Sequence, residues 1–148
     1  MISEKLIEDM KLAMKSGDKT RLSVIRMLRA ELKNAQIAAG ETLSDELEEK
    51  VVAAYAKKRK ESMAQYLEGG RKDLADKEKA EYGITLSYLP PRMEEEELTV
   101  LIKAQIDETG ASGTRDFGTV MKAVMQAGGS RVDGSVVSGL VKKLLVGD

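Results

Sequence analysis

The two prolines of this chain stand side by side, Pro90 and Pro91, in a sequence whose apolar residues otherwise recur at helical spacing almost from end to end. Proline has no N–H to continue an α-helix, and its ring drives the residue before it out of the α region. The pair therefore sets a boundary between an N-terminal part, residues 1–90, and a C-terminal part, residues 91–148. Before it, Leu6, Ile7, Met10, Ala13 and Met14 make one stripe of a first helix that Gly17 can end. Asp18 is a good N-cap for a second helix running to about Ala39 and stopped by Gly40. Ser44 caps a third, with Asp45, Glu46, Glu48 and Glu49 in its first turn, where the helix dipole favours negative charge. It reaches Leu67, Gly69 and Gly70 end it, and Asp73 starts a fourth, less regular helix.

Beyond the prolines three more stripes follow. Leu98, Leu101, Ile102 and Gln105 share the first, Phe117, Val120, Met121 and Val124 the second, and Val136, Val137, Leu140, Val141 and Leu144 the third. No segment alternates with the period of a strand. The expected fold is all-α, an N-terminal helical hairpin region followed by a C-terminal three-helix bundle.

Composition narrows the chemistry. Charged residues make up 33% of the chain against a usual value of about 25%, which calls for much solvated helix surface. One phenylalanine and four tyrosines supply the only rings, so aliphatic residues and the eight methionines must fill a modest core. Cysteine and histidine are both absent, which removes disulfides, Cys nucleophiles, Ser-His-Asp catalysis and the common zinc sets. No cofactor or metal is expected. No apolar run approaches a membrane span, and MISEKLIEDM lacks the basic-then-apolar order of a signal peptide, so a soluble cytoplasmic protein is expected, with no membrane partner. The net charge of −1 exerts no global pull on nucleic acid, and any such binding must come from local patches.

Three patches carry chemistry. At about 100° per residue, Lys19, Arg26, Arg29 and Lys33 fall within a narrow arc of the second helix, opposite Val24, Ile25, Met27, Leu28, Leu32 and Ala35. This cationic ridge suits a phosphate backbone, since each neutralised phosphate releases a counterion. The plain alternative is a solvated face whose cations pair with carboxylates elsewhere in the fold. In KKRKES, Lys58 and Arg59 lie on the apolar arc projected from Leu47, Val51, Ala54 and Tyr55, where a buried charge requires a partner unless its long stem reaches water. The segment SRVDGSVVSGLVKKLL opens on a turn around Arg131 and becomes a helix whose outer side carries Ser135, Ser138, Gly139 and Lys142. Small side chains let another backbone approach, and a helix N-terminus beside an arginine attracts anions. It is equally a plain connection in which Gly128 and Gly129 end one helix and Asp133 caps the next.

Taken together, DKTRLSVIRMLRAELKNAQI, KKRKES with GGRKDLADKE and YLPP, DFGTVMKAVM, and SRVDGSVVSGLVKKLL resemble the YqeY-like family over nearly the whole chain. The C-terminal part is similar to the tail domain of the B subunit of the glutamyl/aspartyl-tRNA amidotransferase. The resemblance implies an all-helical protein whose C-terminal part holds tRNA without being the catalyst. On that pattern Lys122, Arg131, Lys142 and Lys143 are the implied RNA contacts, joined by Arg26, Arg29 and Lys33 from the ridge. The chain departs from the family in Ser130, where glycine usually precedes the basic residue of the turn, and in Val132, where alanine is typical. The leading expectation is a non-catalytic module that binds tRNA or a tRNA-handling enzyme. A carbon-nitrogen ligase using glutamine as amido donor is the alternative that homology would transfer, but there is no G-x-x-x-x-G-K-[ST] loop for ATP and no Ser-Lys amidase constellation. A third reading is a module whose C-terminal bundle docks on another protein through a methionine-rich surface.

Overall fold

Apolar residues spaced three and four apart give seven α-helices and no strand among residues 1–146, the part of the chain that the computed structural model describes. The all-α expectation holds. The chain divides by its internal contacts into Met1–Leu89 and Pro90–Asp148.

In the first unit, α1 (Ile2–Ser16), α2 (Lys19–Ala39), α3 (Asp45–Glu68) and α4 (Lys72–Leu86) follow one another through short turns. The turns are set by residues that local chemistry selects. Gly17 and Gly40 both take the left-handed conformation, φ 73°, at the ends of α1 and α2. Asp18 and Ser44 accept the N–H of Arg21 and Leu47 and so cap α2 and α3. Helices α3 and α4 pack along each other, α1 lies on α2, and α2 reaches both α3 and α4. Leu6, Val24, Ile25, Leu28 and Val52 are fully enclosed between them.

Several apolar positions fall outside this core. Ile7 and Met14 of α1, Met27 of α2 and Leu47 of α3 are exposed, so the first stripe is narrower than its spacing implies. In α3 the buried face is rotated by about one residue from the expected arc. It runs Glu48, Val52, Tyr55, Ala56, with Arg59 half-buried beyond, while Ala54 and Lys58 face solvent.

In the second unit, α5 (Glu95–Thr109), α6 (Phe117–Gly128) and α7 (Gly134–Val146) pack pairwise around Leu98, Ile102, Val120, Val124, Val137 and Val141. A single 3-10 turn precedes α6, at Thr114–Asp116, and another precedes α7, at Gly129–Arg131. Val136 was expected inside but is 52% exposed, and Leu140 is half-buried at the edge. Met93, Met121 and Met125 are drawn partly into this core.

Candidate nucleic-acid interface

The ridge on α2 follows from what the helix buries. Val24, Ile25, Leu28 and Leu32 point into the core, and this turns Arg26, Arg29 and Lys33, with Lys19, into solvent. Among the described residues no carboxylate forms an ion pair with any of these four cations. Arg29 instead donates from Nη1 to the thioether of Met10 at 3.2 Å, a weak acceptor. The ridge therefore keeps its charge. Arg29 and Lys33 also line a cavity of about 250 Å³ with Ile7, Leu32, Gln36 and Leu43.

One wall of that cavity belongs to Glu48, which is only 2% exposed. Its carboxylate accepts the backbone N–H of Ser3 at 2.9 Å and the Ser3 hydroxyl at 3.0 Å. It thus caps the start of α1 from the first turn of α3, satisfying a donor that has no partner within its own helix. Sequence reasoning placed Glu48 among acids facing the dipole of its own helix and missed this role. Its place on the buried stripe was the signal.

The charge in KKRKES is resolved by pairing. Arg59 Nη1 lies 3.3 Å from both oxygens of Glu78 and 3.9 Å from Glu81, and its guanidinium sits 4.9 Å from the centre of the Tyr55 ring. Burial pushes the Tyr55 hydroxyl above the usual phenol range, with the Arg59 charge opposing the shift. The ion pairs join α3 to α4 and the ring contact lies within α3, and together they account for Arg59 as a structural cation. Lys58 stays exposed.

The turn around Arg131 is similarly occupied from within. Its Nε donates to the Pro91 carbonyl at 2.9 Å, and its two terminal nitrogens grip both oxygens of Glu97 at 3.1 Å. The Met93 N–H donates to the Arg131 carbonyl at 2.9 Å, so the segment after the prolines is tied to the turn by two routes. Asp133 then caps α7 by accepting the Ser135 N–H at 2.9 Å, and it also pairs with Arg92 at 2.8 Å. Arg131 is a fastening inside the second unit, and its fork is already filled. Lys122, Lys142 and Lys143 are exposed on α6 and α7, with the Lys142 ammonium 5.5 Å from the centre of the Phe117 ring. Among the described residues no helix is long and apolar enough to cross a membrane, and no group of acidic side chains could hold a metal ion.

Two similar proteins carry the same name, altered inheritance of mitochondria protein 41, mitochondrial. The one from Pyrenophora tritici-repentis is 28% identical over 148 residues, covering 98% of this chain and 81% of that protein. The one from Vanderwaltozyma polyspora is 36% identical over 87 residues, covering 57% of this chain and 46% of that protein. The compartment in both names is mitochondrial, which overturns the cytoplasmic expectation. That expectation rested on the lack of a long apolar run and of a signal-peptide order in MISEKLIEDM, and these features cannot distinguish one aqueous compartment from another. The family model described as Yqey-like protein matches residues 3–145, so the chain belongs to the YqeY-like family.

Proposed function

We propose that this chain is a non-catalytic helical module that binds the phosphate backbone of an RNA, with tRNA the RNA to which its likeness to the amidotransferase tail points. The observation that carries this reading is the α2 ridge, where Arg26, Arg29 and Lys33 are exposed with no carboxylate paired to them among the described residues. Cations held apart from acids on one helix face keep their charge for an external anion, and counterion release from phosphates supplies the affinity. Lys122, Lys142 and Lys143 are available to the same chemistry on the second unit. Arg131 is left out of the contact set because its charge is already matched by Glu97 and its Nε is held by Pro91.

Replacing Arg26, Arg29 and Lys33 by glutamine should weaken tRNA binding and flatten its dependence on salt. Each lost phosphate contact should lower the slope by about 0.7 to 0.9. Helicity should persist, because glutamine is nearly as good a helix former as lysine or arginine. The same change at Lys122, Lys142 and Lys143 measures the share of the second unit. A wild-type affinity for tRNA no greater than that of an unrelated protein of similar charge, at physiological salt, would overturn the reading. Calorimetric titration with ATP and glutamine tests the ligase alternative directly, and saturable heat from both would replace this proposal with an enzyme.

A further inference from the structure

The ridge accounts for the rim of one cavity but not for its interior. Arg29 and Lys33 face outward on α2 and also line a cavity of about 250 Å³ whose apolar walls are Ile7, Leu32 and Leu43. Pockets that enclose a whole small ligand run to roughly 300–1,000 Å³, so this one fits a group projecting from something larger. Gln36 also lines it, and its amide offers both a donor and an acceptor. The buried carboxylate of Glu48, held by Ser3, forms part of the wall. A second negative charge cannot be brought beside it at low cost, so a phosphate is kept at the Arg29 and Lys33 rim and the group that enters is neutral. With only the Met10 thioether as its acceptor among the described residues, the Arg29 guanidinium retains donors for a phosphate and a plane for stacking.

A neutral, planar, hydrogen-bonding group tethered to a phosphate is a nucleobase. We infer that the cavity receives one unpaired base of an RNA whose backbone lies along the α2 ridge. The inference rests on the RNA reading above and adds that the strand must be unpaired at this point. A-form duplex hides its base edges in a deep, narrow major groove, whereas bases in loops and ends can splay out, stack on arginine and present their edges. Gln36 would meet such an edge, and Ile7, Leu32 and Leu43 would cover the faces that Arg29 leaves open.

The test compares an RNA hairpin carrying 2-aminopurine in its loop with a blunt duplex of equal length. Wild-type protein should bind the loop at least about fivefold more tightly than the duplex, the lower end of what one inserted base contributes. It should also change the 2-aminopurine fluorescence. Gln36→Leu and Thr42→Ile alter two residues that line the cavity and leave the ridge charge untouched, and thermal melting checks that each is folded. Both should lose the preference for the loop while keeping the affinity for duplex, whereas Arg26→Gln, outside the cavity, should weaken both. Equal wild-type affinity for loop and duplex, or a preference that survives in both cavity variants, would overturn the inference and leave the phosphate reading standing. Failure to bind either RNA would instead remove the RNA reading itself.

Discussion

Gly128 ends α6 at an ordinary helical φ of −81°, so its missing side chain answers a demand of packing and not of backbone torsion. A Cβ placed there would lie 2.4 Å from Val132 Cγ1, far inside contact distance. The valine that departs from the family's usual alanine thus occupies the space a side chain on the glycine four residues before it would need. Gly128→Ala should cost about 1–3 kcal/mol in urea denaturation, the range for overpacking. Val132→Ala in the same chain should recover most of the loss, and additive losses would show that the two sites do not meet. Tyr88 gives a residue-scale prediction in pH. Its hydroxyl donates to Asp9 at 2.6 Å, and burial first, then the Asp9 hydrogen bond, pushes its pKa well above the phenol value of 10.0. A group raised in the folded state contributes its full stability below the unfolded pKa and loses it as pH climbs toward the folded one. Stability should therefore be level below pH 10 for this group and fall above it, and Tyr88→Phe should flatten that alkaline fall in a pH series of thermal melts.

At the scale of the element, glycine stops and side-chain caps were legible because each is decided by its neighbours in sequence. Gly17, Gly40, Asp18 and Ser44 act within four residues of themselves. The buried face of α3 was legible only in part: the projected arc took in Arg59 but together with Lys58, and apolar counting discarded Glu48, where the stripe begins. Their partners are distant: Ser3 lies 45 residues from Glu48, and Glu78 lies 19 from Arg59. The ridge on α2 was legible for the opposite reason, since one helix and its period define it. Arg131 was implied as a contact by the resemblance, but its partner Glu97 is 34 residues earlier in a run of glutamates that gives no sign of which one pairs. This separates two kinds of cation on the second unit. Arg131→Gln should lower the stability of the unit by about 1 kcal/mol, as for a bidentate pair at the surface. Lys142→Gln and Lys143→Gln should leave the melting temperature nearly unchanged, and an equal loss at all three would mean that Arg131 is not a fastening.

For the whole molecule, the two units each enclose a separate set of buried side chains, one around Ile25 and Val52 and one around Ile102 and Val124. A fragment of residues 90–148 should therefore melt cooperatively by circular dichroism without the rest of the chain. A broad, featureless melt would show that its core depends on residues before Pro90. The first unit is less modular within itself, because the start of α1 is completed by a carboxylate that arrives with α3. A 15-residue helix is marginal alone in water, and this one lacks a side-chain cap of its own. On a ribosome adding about 5–20 residues per second, the 45 residues between Ser3 and Glu48 amount to roughly 2–9 s. Until α3 is made, α1 has neither its cap nor its cover, and it is this waiting stretch, rather than the finished fold, that a chaperone or protease would engage.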